Sequence, residues 1–202
     1  VYDTEEAKST GVMNRLLAER DHPQADVYWA NEPIRAESLR QQGLSDPYVS
    51  PAAAGIPDEY KDPAGHWTGF SARLRVLLVQ AHLADKPTSL QDLADPRFRG
   101  RAAIANPVFG TTTADVASLF AVRGDEWGRE FLASLARNEV RVTASNGESA
   151  DAVASGEVAF SLVDSDDAVS RMRQGRAVEM VVPDQGAGGL GALLIPSAVL
   201  IV

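Results

Sequence analysis

Short apolar runs alternate with helix-like segments over residues 102–182 of this chain. Each run has the length of a strand, and the segments between the runs have apolar residues at the spacing of a helix. The predicted strands lie at residues 102–105, 139–142, 158–163 and 178–182, and the predicted helices lie near residues 113–121, 125–136, 147–155 and 167–174. Strands that alternate with helices predict an α/β fold built on a mostly parallel sheet.

The first half of the chain shows the same signals around an irregular stretch. Helical spacing at residues 7–19 precedes a predicted strand at residues 25–29. Pro33 suits the first turn of a helix that runs to Gln42 and ends at Gly43. The remaining predictions are irregular surface at residues 46–69, a strand at 74–79, a short helix at 89–93 and a last strand at 190–195.

The composition limits what the chain can bind. Its 202 residues, 45% of them hydrophobic, are enough for one or two compact units. A net charge of −9 argues against nucleic acids and anionic membranes as partners. The absence of cysteine excludes thiolate ligands and Cys nucleophiles, and the three histidines lack metal-ligand spacing. We find no signal peptide and no run of the roughly 20 apolar residues that a membrane span needs.

Polar residues gather where predicted strands end and helices begin. They are Asn31 and Glu32, Thr111, Thr112 and Thr113, Ser145 and Asn146, and Asp164, Asp166 and Asp167. Because open α/β sheets bind their ligands at the carboxyl ends of the strands, these residues are expected to face one crevice.

Asp164, Asp166 and Asp167 place three carboxylates within four positions. Carboxylates this close raise each other's pKa unless a cation, N–H donors or solvent compensates. One interpretation is a solvated loop whose last Asp caps a helix that starts near Ala168. The other is a ligand or metal site at the end of a strand.

Two further features suit an anion. The Gly110 loop offers close backbone approach, with the hydroxyls of Thr111 to Thr113 at a helix start, although a single capping threonine would explain it too. Arg73 and Arg75 lie two apart, so they are expected to point to one face of a strand. A bound anion or surface ion pairs would satisfy them.

Catalysis has little support in the sequence. There is no Gly-x-Ser-x-Gly motif, and no histidine is placed near a serine by a known pattern. Asp166 and Glu32 could act as acid and base, but nothing specific recommends them.

Five motifs then occur in order along nearly the whole chain. They are Pro23-Gln-Ala-Asp-Val-Tyr-Trp29, Gly43-Leu-Ser-Asp-Pro-Tyr48, Ile56-Pro-Asp-Glu-Tyr60, Trp67-Thr-Gly-Phe-Ser-Ala-Arg-Leu-Arg-Val76 and Pro183-Asp-Gln-Gly186. Together they resemble the ferric-iron-binding subfamily of ABC-importer solute-binding proteins. The resemblance implies a type 2 periplasmic-binding-protein fold of two α/β lobes that close on a ligand and deliver it to a membrane permease. It also implies that the chain is not an enzyme.

The same resemblance implies lobe boundaries and roles. Residues 1–79 would form part of the first lobe, residues 80–183 the second lobe, and residues 184–202 a crossover strand that returns to the first. The acidic ligand of the first lobe would be Asn31 or Glu32, and the basic anion partner Arg73 or Arg75. The second-lobe groups that hold a synergistic anion, carbonate or phosphate, would be Thr111 to Thr113 and Asn146.

The chain departs from the family at its metal ligands. Iron binders of this family usually carry adjacent tyrosines where this chain has Asp166 and Asp167. Carboxylates bind Fe(III) and equally suit Fe(II), Mn(II), Mg(II) or Ca(II). We therefore expect a metal cargo, iron first, held by Asn31 or Glu32 and by Asp164, Asp166 and Asp167. The alternatives are a small phosphorylated or carboxylated organic solute, a metal-dependent hydrolase, and a structural fragment that binds nothing.

The resemblance also bears on the extent of the chain. The family's signal peptide, first strand and C-terminal helices have no counterpart among the matching motifs. A missing first strand is expected to expose a sheet edge, which favours association. A periplasmic or extracellular, membrane-associated location follows from the resemblance alone.

Overall fold

A computed structural model of the chain describes residues 11–202, so the first residues of the helix predicted at 7–19 lie outside the described part. The described helices are α1 (Met13–Ala18), α2 (Pro33–Gln41), α3 (Gly110–Arg123), α4 (Asp125–Arg137), α5 (Asn146–Ala154) and α6 (Ser165–Arg173). The strands are β1 (Val27–Ala30), β2 (Thr68–Gln80), β3 (Ala102–Ala105), β4 (Arg141–Thr143), β5 (Phe160–Asp164), β6 (Val178–Val181) and β7 (Leu194–Ile201). Short 3₁₀ helices lie at Pro51–Ala53, Asp58–Tyr60, Leu90–Ala94 and Pro96–Phe98.

The chain divides into two compact units. The first comprises the residues up to Arg73, Phe109–Thr111 and Ile195–Val202. Its strands follow the order β1-β7-β2, and β1 pairs antiparallel with β7. One face of this sheet, with Tyr28, Ala198 and Leu200, packs against apolar residues of α1 and α2. The alternation of buried and exposed residues along β1 matches a strand covered on one face.

The second unit comprises Leu74–Val108 and Thr112–Leu194. Its strands follow the order β6-β2-β5-β3-β4. β3 runs parallel to β4 and β5, but β2 runs antiparallel to β5 and β6. The prediction of a mostly parallel sheet is therefore wrong. α6 connects β5 to β6, and these two strands do run in the same direction. They are not neighbours, however, because β2 lies between them and runs in the opposite direction.

β2 is buried on both faces in the second unit. Leu77 and Val79 join a cluster that contains the edge-on pair Phe98 and Phe160, whereas Val76 faces a second cluster under α5 and α6. A strand covered on both sides carries apolar residues at successive positions instead of alternating them. This explains the unbroken apolar run that predicted the strand.

Several element boundaries differ from the predictions. β7 begins at Leu194, four residues after the predicted start at Leu190, because the glycine-rich turn continues past Leu190: the Gly189 N–H bonds the Gly186 carbonyl and the Gly191 N–H bonds the Asp184 carbonyl. α3 begins at Gly110 and α6 at Ser165. The predicted threonine loop and the last two residues of the aspartate run, Asp166 and Asp167, thus lie in the first turns of helices.

No helix among residues 11–202 combines the length and the apolar character needed to cross a membrane.

Substitution of Phe160 by Ala should lower the free energy of unfolding by about 3–5 kcal/mol, because the ring is fully buried against Phe98, at 4.9 Å between ring centroids. Urea denaturation would measure the change. The exposed Val122→Ala on α3 serves as the control and should shift it by less than about 0.5 kcal/mol. Equal effects of the two substitutions would contradict the described core.

Candidate functional site

The centre of the candidate site is a buried ion pair in the second unit. Arg75 of β2 lies directly opposite Asp164, the last residue of β5. The Arg75 Nη1 donates to Asp164 Oδ1 at 2.7 Å, and both side chains are 1% exposed. A guanidinium in such a place requires a counter-charge and further hydrogen-bond acceptors.

Two neutral side chains supply the further contacts. Arg75 Nη1 also donates to Asn146 Oδ1 at 3.0 Å, and Nη2 donates to Thr112 Oγ1 at 3.2 Å. The Asn146 amide in turn donates to Asp164 Oδ2 at 3.3 Å. Asn146 opens α5 and Thr112 lies in the first turn of α3, so the contacts join two strands to two helix starts.

Asp115 is a member of this cluster that the sequence analysis missed. Its Oδ2 lies 3.7 Å from Arg75 Nε, the residue is 2% exposed, and Oδ2 has no hydrogen-bond partner. We call Arg75, Thr112, Asp115, Asn146 and Asp164 the Arg75 network. The sequence did contain an indication that Asp115 belongs to this cluster. Asp115 follows Thr112 by three residues and therefore lies on the same face of the helix.

Burial raises the pKa of the Asp115 carboxyl above its ordinary value of 3.8. The Arg75 guanidinium lowers that pKa in part, and the Asp164 carboxylate raises it again. One guanidinium thus faces two buried carboxylates. The contact of Asp164 with Arg75 is the shorter of the two, and Asp115 is held at 3.7 Å from the guanidinium with its burial only partly compensated.

The aspartate run brings three carboxylates together at the start of α6. One oxygen from each of Asp164, Asp166 and Asp167 lies within 4.8 Å of the others. Asp164 is buried, Asp167 is half-buried with Arg171 Nη1 at 3.7 Å, and Asp166 is exposed. Carboxylates in a first helical turn are also stabilised by the helix dipole, so the cluster suits the fold as well as a cation.

The interpretation of this run as a solvated loop whose last Asp caps a helix near Ala168 is wrong. The residue at the N-cap of α6 is Asp164, and its side chain makes no capping hydrogen bond. Its carboxylate binds Arg75 and Asn146 instead. The run is therefore not a loop in front of Ala168, where the sequence placed the helix start.

Glu32 and Asn31 lie in the first unit, after β1. Glu32 is 2% exposed and is the N-cap of α2, where its Oε2 accepts from the Ile34 N–H at 2.6 Å and its Oε1 from Arg35 Nη1 at 2.7 Å. Asn31 and Glu32 line a cavity of about 20 Å³ with Arg35 and Gly110, which is room for about one water molecule. The role of either residue as a metal ligand stays a prediction.

The remaining predicted residues are divided between the units. Thr111 and Thr112 are buried, and Thr113 has a buried hydroxyl without a hydrogen-bond partner. Arg73 is half-buried at the end of the first unit, whereas Arg75 starts the buried part of β2 in the second. Arg73 and Arg75 therefore differ strongly in environment although the sequence treats them alike. Arg73 is the more accessible of the two.

Comparison of the sequence with known proteins identifies a family. The profile of the family described as bacterial extracellular solute-binding protein matches residues 31–201. Iron uptake protein A1 of Synechocystis sp. is 27% identical over 190 residues, which cover 90% of this chain and 50% of that protein. A putative 2-aminoethylphosphonate-binding periplasmic protein of Salmonella paratyphi A is 26% identical over 190 residues, which cover 92% of this chain and 54% of that protein.

A solved structure shares the fold. Iron-bound HitA from Pseudomonas aeruginosa superposes with a TM-score of 0.83 at 24% identity, over 95% of this chain and 63% of HitA. The predicted periplasmic-binding-protein-like fold is confirmed by this likeness. The chain spans about half the length of the curated relatives that it matches.

Asp115→Asn should change how stability depends on pH. Because the pKa of Asp115 is raised in the folded state, the folded chain holds the extra proton above pH 3.8, and the free energy of unfolding falls as pH rises through the raised pKa. Asn removes this loss, so the variant should gain stability relative to wild type as the pH rises from about 4 to the raised pKa of Asp115, by about 1.4 kcal/mol for each pH unit between the two pKa values.

Urea denaturation at several pH values would measure this difference. The exposed Asp125→Asn, in the first turn of α4, is the control and should follow the wild-type curve. Parallel curves for Asp115→Asn and wild type would show that Asp115 is ionised throughout.

Proposed function

We propose that this chain, which belongs to the family of bacterial extracellular solute-binding proteins, acts in the substrate-binding component of an ABC importer and captures a metal ion, iron first. The family is one of solute-binding proteins rather than of enzymes. The single observation that carries the metal proposal is the cluster of Asp164, Asp166 and Asp167 at the start of α6.

The chemistry of the cluster supports a hard cation. Carboxylate oxygens bind Fe(III), Fe(II), Mn(II) and Ca(II), and three of them close together compensate a cation's charge while the cation relieves their mutual repulsion. A relative named for iron uptake matches 90% of this chain, which supports the choice of iron as the first of these metals to test. Because the match covers only half of that protein, iron as the cargo of this chain is a proposal of its own.

The three carboxylates have different roles in this proposal. Asp166 and Asp167 supply the cargo ligands, since Asp166 is exposed and Asp167 is half-buried. Asp164 already binds Arg75 and Asn146 through both oxygens, so it serves mainly to hold the start of α6 in place. The Arg75 network thus supports the site. Its neutral residues, Thr112 and Asn146, hold the ion pair in place and so keep the aspartate cluster rigid.

Asn31 and Glu32, in the first unit, are the other candidate metal ligands. Glu32 would have to release the α2 cap and Arg35 before its carboxylate could bind a metal. That loss costs on the order of 1 kcal/mol for the cap alone. The side-chain oxygen of Asn31 is therefore the better candidate ligand. A synergistic anion, carbonate or phosphate, would bind Arg73 and the threonines at the start of α3.

Location and partner follow from the family. A solute-binding component of an importer works outside the cytoplasmic membrane, so we place the chain in the periplasm or at the outer side of the membrane. Its partner is the membrane permease that receives the cargo.

A second candidate cargo is a small organic phosphonate or phosphate that also carries an amine. One relative that matches 92% of this chain is named for 2-aminoethylphosphonate. The amine would bind the Asp166 and Asp167 carboxylates, and the phosphonate would bind the Arg73 guanidinium.

The double substitution Asp166→Ala and Asp167→Ala should abolish stabilisation by the metal cargo. A cargo present at about 100 times its Kd adds about 2.7 kcal/mol to the folded state, which a thermal unfolding assay detects. The assay would test Fe(III) with citrate, Fe(II), Mn(II) and Ca(II) on wild type and variant. The wild type should respond to one metal above the others, and the variant should not respond.

The matched control is Asp125→Ala with Glu126→Ala, which also removes two adjacent acids from the first turn of a helix. This control loses the same helix-dipole stabilisation but should keep the metal response. A metal response in the Asp166 and Asp167 variant equal to that of wild type would refute the site.

Arg73→Ala separates the two cargoes. If the cargo is an aminophosphonate, the loss of the guanidinium should weaken binding of 2-aminoethylphosphonate at least tenfold, by calorimetric titration, because a charge-assisted contact contributes roughly 1.5–3 kcal/mol. Arg176→Ala, an exposed arginine before β6, is the control. Unchanged phosphonate affinity in Arg73→Ala would count against the organic cargo.

A further inference from the structure

We propose that the Arg75 guanidinium has two positions, and that a cation in the aspartate cluster moves it from Asp164 to Asp115. The aspartate cluster is the set of Asp164, Asp166 and Asp167. The role of the cation rests on the proposed function, whereas the second position follows from contacts inside the second unit. Asp115 is then a positioning residue, which does not touch the cargo and acts through Arg75.

Two buried carboxylates of the Arg75 network face one guanidinium. Asp164 Oδ1 accepts from Arg75 Nη1 at 2.7 Å, whereas Asp115 Oδ2 lies 3.7 Å from Arg75 Nε. Asp164 is 1% exposed and Asp115 is 2% exposed. The network therefore holds one acid more than it has guanidinium groups, and Asp115 has the longer of the two contacts. A buried acid needs a close counter-charge, so the position of this one requires an explanation.

The Oδ2 atom of Asp115 is a buried acceptor that these contacts leave unsatisfied. Within residues 11–202 it accepts no hydrogen bond. Such an oxygen is rare in folded proteins, because it has lost its hydration without a replacement. Its burial beside a guanidinium is explained if the guanidinium donates to it in a second arrangement.

Only a small movement separates the two arrangements. Thr112 and Asp115 are three residues apart on α3, so one face of the helix presents both side chains to Arg75. Arg75 Nη2 already donates to Thr112 Oγ1 at 3.2 Å. Closing the gap between Arg75 Nε and Asp115 Oδ2 from 3.7 Å to about 2.9 Å would complete a charge-assisted hydrogen bond.

Asp164 belongs both to the Arg75 network and to the aspartate cluster. One of its oxygens lies within 4.8 Å of oxygens of Asp166 and Asp167. A metal ion binds carboxylate oxygens at about 2.0–2.6 Å, so a cation held by the cluster comes as close to Asp164 as the guanidinium does. Two cations on one buried carboxylate repel each other. The metal therefore displaces Arg75, and Asp115 is the acid within its reach.

The electrostatics of Asp115 agree with this exchange. Burial raises the pKa of the Asp115 carboxyl, and Arg75 lowers that pKa only in part. A guanidinium at hydrogen-bond distance would lower it further and so favour the ionised acid. Asp115 then becomes the counter-charge of Arg75, and Asp164 becomes that of the metal. Asp164 thus holds the start of α6 through Arg75 in one arrangement and through the cation in the other.

The second position can be tested without a metal. Asp164→Asn removes the charge of the first position and should leave Asp115 as the acid that pairs with Arg75. Asp115→Asn should then raise the urea midpoint of unfolding at neutral pH in the wild-type background and lower it in the Asp164→Asn background. The exposed Asp125→Asn is the control, and its small effect should be the same in both backgrounds.

The coupling to the cation has a spectroscopic test. The Nε–H resonance of Arg75 reports the position of the guanidinium, and Arg75→Lys identifies this resonance by removing it. The probes are Ca(II) and Ga(III), which are diamagnetic, with Ga(III) in place of Fe(III). Binding of either cation should move the resonance of the wild type toward its position in Asp164→Asn.

Calorimetric titration with the same cations measures the contribution of Asp115. Asp115→Asn should bind the cation about tenfold more weakly, because a charge-assisted hydrogen bond is roughly twice as strong as a neutral one and the displaced guanidinium would gain only the neutral one. The Nε–H resonance of Arg75 should then stay near its original position. Asp125→Asn should bind like wild type.

The outcomes separate the parts of the proposal. An effect of Asp115→Asn with the same sign in both backgrounds would overturn the second position. A resonance that stays in place while Ca(II) or Ga(III) binds would overturn the coupling. Failure of the wild type to bind either cation would overturn the metal proposal together with the coupling, while the urea comparison still decides the second position. If Asp164→Asn does not fold, the cation titration decides both, since the resonance should move in wild type and not in Asp115→Asn.

Discussion

The pairing of Arg75 with Asp164 is the interaction on which the candidate site depends. It joins the middle of β2 to the end of β5, and Asn146 and Thr112 extend it to the starts of α5 and α3. A buried ion pair adds little net stability compared with apolar residues, but removing one partner alone costs about 3–5 kcal/mol. The pair and its neighbours tie these four elements together, and α6 with its carboxylates begins directly after this anchored strand end.

This arrangement separates residues that serve the fold from residues that can serve a ligand. Asp164 and Glu32 were both candidates for metal binding, and each uses its carboxylate in internal hydrogen bonds: Asp164 within the Arg75 network, Glu32 at the cap of α2. Asp166 and Asp167 are more accessible to solvent. The same chemistry, a carboxylate at the junction of a strand and a helix, thus stabilises the scaffold in two places and lies nearer to solvent in the third, where a cation is proposed to bind.

Local pattern was enough to predict most of the elements. β3 was predicted with its observed bounds, and α2, α4 and β6 within one residue at each end, because apolar periodicity, Pro33 and the turn residues all pointed the same way. The direction of β2 was not predictable in this way. Strand direction depends on which strands become neighbours in the sheet, and β2 enters between β5 and β6, which are distant from it in sequence.

Local periodicity and motifs in fixed order were enough to predict the α/β class, the family and the position of polar residues at strand ends. Which of those residues meet depends on how the elements pack against each other. Arg73 and Arg75 are indistinguishable as a pattern, yet Arg75 is buried against Asp164 while Arg73 is half-buried in the other unit. Asp115 was not predicted because its role depends on Arg75, forty residues earlier. The physical reason is that burial and charge pairing are set by contacts between distant segments, which no local pattern records.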